Sequence, residues 1–337
     1  MIAILIVGYK SKNDLKECLG SIFKSTYKKF RVFFIDNCPD GSIEFIKAKF
    51  PKVTIVPNNK NLGYAVGNNL LIKEAIKHKA DYVFILNPDT IIDKDCLKYF
   101  LKQANAKTIL QPLLLINRHG KNTNLINTTG GSLNFLGFSY CSDYKQDKST
   151  VFQHDIPIAS GASVFIPINI LKKIGLYDEN FFMYHEDVDL FWRARLNNYT
   201  IKLIPEALVW HKYSFSRNKN KFFYVERNRL LFLYKNFNLK YLLLIFPIFL
   251  LNEILMIFYS LFDGWIIQKL KSYLSAVKLL SKESKLRKNN LTKVGQSQHK
   301  LKKYIKASIS FSEISNPLFY PYNLILRFYW FLISFLI

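Results

Sequence analysis

The chain has 337 residues, 50% of them hydrophobic, which is enough for one catalytic domain of ordinary size and a further segment. Its 48 Lys and Arg residues against 24 Asp and Glu residues give a formal net charge of +24, which indicates an anionic partner: nucleic acid, lipid head groups or a phosphorylated substrate. The four cysteines are widely separated and form no Cys-x-x-Cys pair, so they indicate neither a zinc site nor a disulfide framework. A reducing compartment is therefore expected.

Strand and helix patterns alternate over the first 90 residues. Buried strands are predicted at residues 2–7, 31–35, 53–56 and 82–86, and the first three are followed by helical patterns. The first run lacks a basic region and is too short for a signal peptide, so it is interpreted as a strand. This alternation predicts an α/β fold with a mostly parallel sheet and helices on both faces.

Polar side chains follow several of these strands. Asp36, Asn61 and Asp89 each come after a predicted strand, and ligands of parallel sheets bind beyond the carboxyl ends of the strands. One crevice is therefore expected to contain all three.

The middle of the chain is less regular. Residues 105–155 suggest loops and short strands, and residues 158–166 suggest a small-residue turn that leads into a strand. A helix is predicted from Asn169, and residues 201–205 and 207–211 are predicted to be extended. His211 should therefore end a strand.

An acidic cluster occupies residues 183–190, where Glu186, Asp187 and Asp189 follow His185. A helix beginning here would carry the three carboxylates in its first turn, where free N–H groups and the helix dipole favour negative charge. Helix capping alone would explain the cluster.

The C-terminal third is apolar and basic. Residues 241–262 and 318–337 are each long enough to be a membrane span of about 20 residues. Between them, residues 265–306 contain twelve Lys and Arg residues and one acid, Glu283. Apolar residues recur among these lysines at helical spacing, which is typical of a basic helix on an anionic membrane surface, although a solvated helix of a soluble protein would show the same pattern.

The charges also bear on how the apolar segments meet the membrane. If residues 241–262 crossed the bilayer, the basic segment would lie opposite a cytoplasmic catalytic domain, against the rule that positive loops stay inside. A charged Glu253 at the centre of a span would cost about 2.5–3.5 kcal/mol. In-plane or re-entrant helices are therefore expected, and one or two spanning segments remain the alternative.

Two residues are candidate metal ligands. Asp89 follows Asn87-Pro88 after a strand, where its carboxylate suits Mg²⁺ or Mn²⁺, although such a tripeptide also forms ordinary turns. His211 is a candidate second ligand from another strand end. Together with Asp36 and Asn61, they suit a nucleotide diphosphate whose phosphates share the metal.

Several motifs occur together in a definite order. They are Val7-Gly8-Tyr9-Lys10-Ser11, Ile35-Asp36-Asn37, Asn58 to Asn69, Leu86-Asn87-Pro88-Asp89-Thr90, Ser160-Gly161-Ala162, Phe181 to Leu190 and Val209-Trp210-His211. In this order the chain resembles the family 2 glycosyltransferases, particularly their rhamnosyltransferase-like branch. The resemblance covers about residues 1–230, which we expect to be the catalytic domain, with 231–337 as a helical membrane-association region.

The resemblance implies a GT-A fold and an inverting transfer of a sugar from a nucleotide diphosphate to an acceptor hydroxyl. It implies that Asp187 is the catalytic base and Glu186 its neighbour, and that Asp89 and His211 bind the metal. The implied nucleotide-sugar-binding residues are Tyr9, Asp36, Asn61, Gly63, Asn68 and Asn87, and the acceptor-side residues are Ser160, Gly161 and His185. Asn87 replaces the first acid of the family's Asp-x-Asp motif, Cys38-Pro39 departs from its usual Asp-Asn-x-Ser, and His185 stands where glycine is frequent.

These features together predict a membrane-associated enzyme of cell-surface glycan synthesis at the cytoplasmic face. It would transfer a sugar, with a deoxyhexose such as rhamnose as one candidate, to a lipid-linked or glycan acceptor. A non-catalytic glycan- or nucleotide-sugar-binding relative is the alternative. A nucleotidyltransferase is disfavoured because no glycine-rich, lysine-containing loop follows the first strand. A nucleic-acid partner is disfavoured because the aromatic residues lie in apolar blocks rather than among the basic residues.

Overall fold

The first strand, β1 (Ile2–Gly8), is buried at every residue. The structure is a computed structural model, and it describes residues 1–213, 219–280, 301–310 and 319–337. It pairs in parallel with β2 (Phe30–Asp36) and β4 (Tyr82–Leu86), and β2 pairs in parallel with β3 (Thr54–Val56). The predicted parallel strands are therefore confirmed. Their carboxyl ends lie at one edge of the sheet, which carries Asp36 and the segment leading to Asp89.

Helices cover both faces of this part of the sheet. The side chains of Ile2, Ile4 and Ile6 pack in one apolar core with Leu15 and Cys18 of the first helix. The opposite face meets the third helix, since Gly67 lies directly beside the side chain of Val7. The helices of this unit are α1 (Lys12–Phe23), α2 (Ser42–Lys49), α3 (Gly63–Lys77), α4 (Cys96–Gln103) and α5 (Ile168–Ile174).

Beyond β4 the sheet becomes mixed rather than parallel. The remaining strands are β5 (Thr90–Ile92), β6 (Thr108–Arg118), β7 (Lys121–Thr128), β10 (Ser163–Pro167) and β11 (Thr200–His211). The strand order is β3-β2-β1-β4-β10-β6-β11-β5, with β7 paired to β6. β10 runs antiparallel to β4, and β11 runs parallel to β6 but antiparallel to β5.

The strand β6 corrects the expectation that residues 105–155 contain only loops and short strands. It has eleven residues, and all but the last are buried. A long buried strand is not predicted here because Gln111 and Pro112 interrupt the apolar run. The Oε1 of Gln111 accepts the Ser160 N–H at 2.6 Å, and Pro112 lies opposite Ile204 at the bulge in β11, where a missing N–H is tolerated.

The described residues divide into two compact units that interleave along the chain. The first contains Met1–Gly131, Cys141–Phe182 and Tyr199–Ser214, and the second contains Ser132–Tyr140, Met183–Asn198 and Phe215–Ile337. The predicted division at residue 230 concerns function and stays a prediction. The structural division differs from it because α6 (Glu186–Leu196), which precedes residue 230, belongs to the second unit. There α6 packs on α7 (Lys219–Asn236), with Trp192 against Phe232.

The second unit is mainly helical. Besides α6 and α7 it contains α8 (Leu239–Phe262), α9 (Ile266–Leu280) and α10 (Phe319–Ser334). A small sheet joins β8 (Gly131–Asn134) to β9 (Ser139–Cys141) and β12 (Ile305–Lys306). The predicted helices at the acidic cluster and at the start of the basic segment are confirmed. The rest of the basic segment, residues 281–300, lies outside the described residues.

Among the described residues, α8 has the length and composition needed to cross a membrane, with 24 residues and a mean hydropathy of 2.3 over its most apolar 18. The second apolar segment forms a helix of 16 residues, α10.

Candidate active site

Asp36 ends β2 at the carboxyl edge of the sheet and is only 6% exposed. Its Oδ1 accepts the Cys38 N–H at 3.0 Å, but its Oδ2 has no hydrogen-bond partner in the described part of the chain. Burial raises the pKa of this carboxyl above its usual value. A buried acceptor without a donor is costly, so this edge of the sheet suits a ligand that offers an N–H or O–H group.

Two asparagines connect the end of β2 to the start of α3. The Nδ2 of Asn37 donates to the Gly63 carbonyl at 2.9 Å, and the Nδ2 of Asn58 donates to the Asp36 carbonyl at 2.8 Å. Asn58 Nδ2 also donates to Asn37 Oδ1 at 3.0 Å. These residues belong to the family-like motifs, but their supporting contacts were not predicted.

Gly63 is required by close packing at the start of α3. It has a φ of +76°, and a Cβ there would lie 2.6 Å from the Phe182 carbonyl oxygen. That oxygen accepts the N–H groups of Tyr64 at 2.7 Å and Ala65 at 3.1 Å, so these groups are not free for a phosphate. Asn61 Oδ1 accepts the Gly63 N–H at 2.9 Å and so stabilises the same turn.

The other residues predicted to bind the nucleotide sugar have different surroundings. Tyr9 follows β1 and is 54% exposed. Asn68 is buried in α3, where its Nδ2 donates to the Tyr64 carbonyl at 3.0 Å. The main chain of Asn87 is fixed, because its N–H donates to the Ala162 carbonyl at 2.9 Å and its carbonyl accepts from Thr90 Oγ1 at 2.6 Å. Their contacts with a sugar donor stay predictions.

Ser160 and Gly161 form a turn before β10. The Ser160 Oγ accepts the Ala162 N–H at 3.3 Å, and the Gly161 carbonyl accepts from the Tyr64 hydroxyl at 2.5 Å. The turn is thus tied to α3. The predicted acceptor-side role of both residues stays a prediction.

The two predicted metal ligands, Asp89 and His211, are brought together by the pairing of β11 with β5. His211 is opposite Thr90 in this register, which places its Nε2 3.3 Å from Asp89 Oδ1. This distance fits an ion pair, but the geometry is not that of a hydrogen bond, since Asp89 Oδ1 lacks a hydrogen-bond partner among the described residues.

The other ring nitrogen of His211 indicates the tautomer. Its Nδ1 lies 2.9 Å from Asn127 Oδ1. We assign the Nδ1–H as the donor because an amide oxygen can only accept, which leaves Nε2 of the neutral ring with a lone pair directed toward Asp89. A histidine ligand held through its second nitrogen is the usual arrangement around protein-bound metals.

A divalent cation fits this pair of atoms. Two ligands at about 2.1 Å from an octahedral ion are about 3.0 Å apart, close to the observed separation. Burial raises the pKa of Asp89, but the facing His211, in its protonated form, and then Lys212 outweigh it, so the pKa is lowered and the carboxylate is ionised. A cation between the two atoms would take the place of the proton on the ring. No described cluster offers three or more His, Cys, Asp or Glu ligands, so the remaining coordination positions would be filled by ligand phosphates or water.

The second unit carries the acidic cluster at the start of α6. Glu186 is buried with Oε2 unpartnered among the described residues, and burial, reinforced by Asp187, raises its pKa well above the usual range. Asp187 is half-buried, and its Oδ1 accepts the Val188 N–H at 2.8 Å. Since the helix N-terminus favours an anion, Asp187 is the better candidate for an ionised, accessible base.

Asp189 is fully buried and has a structural role. It accepts from Arg193 Nε at 2.8 Å, Lys235 Nζ at 3.1 Å and Asn236 Nδ2 at 2.9 Å. Burial alone would raise its pKa, but Lys235 and Arg193 lower it to about 2. In these contacts the carboxylate orients Arg193, four residues further along the same helix, rather than capping the N-terminus of the helix.

The ring of His185 is enclosed within the second unit. Its Nε2 is 3.1 Å from the Gly137 carbonyl, and burial lowers its pKa to about 4. The imidazole is therefore neutral and supports the turn before Glu186. Its predicted place on the acceptor side stays a prediction.

Asn228 of α7 holds the same turn from its other side. Its Nδ2 donates to the carbonyls of Met183 at 2.9 Å and Tyr184 at 2.7 Å, and its Oδ1 accepts from Arg227 Nε at 2.8 Å. Tyr184 and His185 both have positive φ, 65° and 63°, a conformation that costs about 1–3 kcal/mol per residue and needs such support.

Residues 3–175 match the family described as Glycosyl transferase family 2. The chain belongs to glycosyl transferase family 2. Among its relatives in this family is a low-salt glycan biosynthesis hexosyltransferase, Agl10, from Haloferax volcanii, 29% identical over 59% of this chain and 63% of the relative. Another is an N-acetylglucosaminyl-diphospho-decaprenol L-rhamnosyltransferase from Mycobacterium tuberculosis, 24% identical over 65% of this chain and 78% of the relative. The chain thus spans less than two thirds of the Haloferax protein.

Solved structures show the fold of this family 2 member. The mannosyltransferase PcManGT from Pyrobaculum calidifontis, solved with GDP-Man and Mn²⁺, superposes with a TM-score of 0.51 at 11% identity over 99% of this chain and 86% of its own. GalNAc-T7, solved with UDP, GalNAc and Mn²⁺, gives 0.57 at 14% identity over 71% of this chain and 48% of its own. The predicted GT-A fold is confirmed.

Proposed function

We propose that this family 2 member is an inverting glycosyltransferase that binds a nucleotide-diphosphate sugar through a divalent cation, Mg²⁺ or Mn²⁺. The observation that carries the proposal is the pair of Asp89 Oδ1 and His211 Nε2 at 3.3 Å. The Mn²⁺ in two solved structures of the same fold supports this use of the pair.

The parallel strands arrange the binding residues along one edge. β1 separates β2 from β4, and with neighbouring strands about 4.8 Å apart the ends of β2 and β4 are about 10 Å apart. Asp89 lies three residues beyond the end of β4. A nucleotide along this edge would have its base and ribose at Asp36 and its diphosphate at Asp89 with His211. When bound, the cation would stabilise the negative charge that develops on the departing diphosphate.

Asp187 is proposed as the base that receives the acceptor proton. The acceptor oxygen forms a bond to the anomeric carbon while the bond from that carbon to the diphosphate oxygen breaks, and the nucleoside diphosphate leaves with the electron pair. The acceptor hydroxyl proton passes to the Asp187 carboxylate. Attack opposite the leaving group inverts the anomeric carbon without a covalent enzyme intermediate. Glu186 supports the base in its neutral form.

The substrates of this chain are proposed only as chemical classes, less finely than its reaction type. The names of the mycobacterial and haloarchaeal relatives support a lipid-linked or glycan acceptor and glycan synthesis, with rhamnose as one sugar candidate. A poly-β-1,6-N-acetyl-D-glucosamine synthase of Staphylococcus epidermidis, 26% identical over 62% of this chain and 49% of that protein, supports a polysaccharide as a product class. We propose that the product of this chain is a cell-surface glycan. The C-terminal region would place the enzyme at the cytoplasmic face of the membrane.

Turnover of a panel of nucleotide sugars tests the proposal. The full chain is incubated with each sugar donor, Mn²⁺ or Mg²⁺, and membranes from the source cell as acceptor, and release of nucleoside diphosphate is measured with and without EDTA. We expect turnover of one donor class, its loss with EDTA, and its loss in Asp89→Asn. Donor binding without turnover, and without any need for metal, would instead favour a non-catalytic nucleotide-sugar-binding protein.

A further inference from the structure

Exposed apolar side chains are concentrated in one part of the second unit. In the described part of the chain, every exposed large hydrophobic side chain except Tyr9 and Phe152 lies on α8, α9 or α10 or in the two residues that follow α10. Soluble monomers seldom expose continuous apolar patches beyond a few hundred Å². Such a surface therefore needs an occupant.

α8 is divided into a buried face and an apolar outer face. Its buried residues recur at helical spacing and include its polar ones, namely Tyr241, Ile245, Ile248, Asn252, Glu253 and Ser260. The opposite face exposes Leu243, Phe246, Leu250, Ile254, Phe258 and Leu261. The polar groups of the buried face are thus used inside the protein, and the exposed side chains of α8 are apolar apart from Lys240 and Tyr259.

Buried charges hold the inner face of α8 to its neighbours. Glu253 accepts from Arg229 of α7 at 2.5 Å and from Lys269 of α9 at 2.8 Å, and Glu226 of α7 pairs with both cations. The side chains of Arg229 and Lys269 are completely buried. Two carboxylates and two cations balance each other, so removing Glu253 from this cluster would leave buried positive charge uncompensated.

α10 lies antiparallel along α8. Tyr322 donates to Asn252 Oδ1 at 2.8 Å, and Tyr329 donates to the Leu244 carbonyl at 2.7 Å. Since later residues of α10 meet earlier residues of α8, the two helices run in opposite directions. The outer face of α10 adds Leu324, Phe328 and Phe331 to the exposed surface.

The charge around this surface is entirely positive on α9, α10 and residues 301–310, which contain no Asp or Glu. On α9, Leu270, Leu274 and Val277 are exposed beside the exposed Lys271 and Lys278. A second copy would bring like charges together. Anionic lipid head groups would instead attract each lysine by about 1 kcal/mol.

We propose that the outer faces of α8, α9 and α10 form a docking surface that inserts into one leaflet of an anionic bilayer. α8 lies in the membrane plane, since its inner face stays bound to α7 and α9. The docking surface deepens the proposed function, because it names the surface and the class of lipid that it binds. It rests on the proposed function only in the purpose that docking would serve.

Vesicle flotation tests the surface. The full chain should float with vesicles containing phosphatidylglycerol, and Leu250→Glu with Phe258→Glu should abolish flotation. Phe152→Glu is the matched control, because Phe152 is an exposed aromatic of the first unit and should leave flotation unchanged. Lys271→Gln with Lys278→Gln should weaken binding to anionic vesicles about 30-fold, as two neutralised charges predict, without changing binding to phosphatidylcholine.

Probe depth distinguishes docking from crossing. Leu243→Cys, Leu250→Cys and Phe258→Cys are each labelled with a nitroxide in a Cys38→Ser, Cys141→Ser background, because Cys18 and Cys96 are buried. All three probes should lie at the same shallow depth. Depths that change by about 10 Å from one probe to the next would show that α8 crosses the bilayer and would overturn the proposal.

Two further outcomes would contradict the docking surface. One is a wild type that stays in the soluble fraction whatever the lipid. The other is loss of a dimer rather than of vesicle binding in the glutamate variants, which would assign the face to a second copy. Nucleotide-sugar hydrolysis in detergent is measured on the same samples. Because hydrolysis needs no bilayer, failure of docking and failure of the proposed enzyme activity are separate results.

Discussion

Nε2 of His211 faces Oδ1 of Asp89 at 3.3 Å, while Nδ1 of the same ring is held by Asn127 at 2.9 Å. The two atoms are not hydrogen-bonded to one another, and in the neutral form of the ring both of them have lone pairs. An arrangement of this kind is favourable when a cation lies between them, and Asn127 fixes the ring in the tautomer that a cation requires.

Asn127→Leu should weaken binding of Mn²⁺ about 10–100-fold, the usual effect of removing the group that orients a histidine ligand. Asn127→Asp should retain affinity within a few-fold, since a carboxylate also accepts from Nδ1–H. The Nδ2 of Asn127 has no partner among the described residues, so the Asp variant loses no donated hydrogen bond. Mn²⁺ binding is measured by electron paramagnetic resonance with nucleoside diphosphate present, and equal affinity of the two variants would contradict the tautomer.

Asp187→Asn should reduce the rate of sugar transfer about 10²–10⁴-fold, because the acceptor proton would have no base. Binding of the sugar donor, measured by calorimetry, should change little. Glu186→Gln, at the neighbouring residue, is the matched control. It should keep most of the activity because glutamine resembles the protonated glutamate. Turnover retained by Asp187→Asn would remove Asp187 as the base.

Glu186→Gln should also change how stability depends on pH. The pKa of Glu186 is raised in the folded protein, so at low pH both states are protonated and the group contributes nothing. As pH rises above the ordinary pKa of about 4.3, the unfolded chain loses this proton before the folded one, and folding becomes less favourable. The variant should therefore gain unfolding free energy relative to wild type as pH increases from about 4 to 7, measured by urea denaturation. A constant difference across this range would contradict a buried neutral Glu186.

The strands β2, which ends at Asp36, and β4, which precedes Asp89, were predictable because each is an unbroken apolar run followed by polar residues. β6 was not, because Gln111 and Pro112 break the pattern. In the structure, the Ser160 N–H donates to Gln111 Oε1, and Pro112 lies at a bulge in β11. A sequence pattern records local periodicity. It does not record which distant group satisfies a buried amide.

The supporting residues of the candidate site were missed for the same reason. Asn127 and Asn228 lie 84 and 44 residues from the groups they hold, His211 and Tyr184. Only the resemblance to known glycosyltransferases distinguished Asp187 from Asp189. The structure adds the physical difference between them, since Asp189 is fully enclosed by Arg193, Lys235 and Asn236 whereas Asp187 is half-buried.

Asn228→Asp should lower kcat about 100-fold and leave the KM for the sugar donor unchanged. The carboxylate keeps an acceptor for Arg227 but loses both N–H donors to the Met183 and Tyr184 carbonyls, so the turn before Asp187 loosens. A misplacement of about 1 Å in a reacting group is enough for such a loss. Steady-state kinetics would separate the two constants. A rise in donor KM with kcat unchanged would show that Asn228 does not position the base.

Asp189→Asn should lower the unfolding free energy by about 3–5 kcal/mol at pH 7, because Lys235 and Arg193 remain buried without a counter-charge. The matched control is Glu74→Gln, whose pair with Lys77 is largely exposed and should contribute at most about 1 kcal/mol. Urea denaturation of both variants measures the difference.

The same comparison has a pH dependence of known sign. The folded pKa of Asp189 is lowered to about 2. Its contribution is therefore complete above the unfolded pKa of about 3.9 and is lost as pH falls through the folded value. The wild-type advantage over Asp189→Asn should be constant from about pH 7 to pH 5 and shrink below about pH 4. An advantage that disappears near pH 6 would show that a histidine, rather than Asp189, controls the cluster.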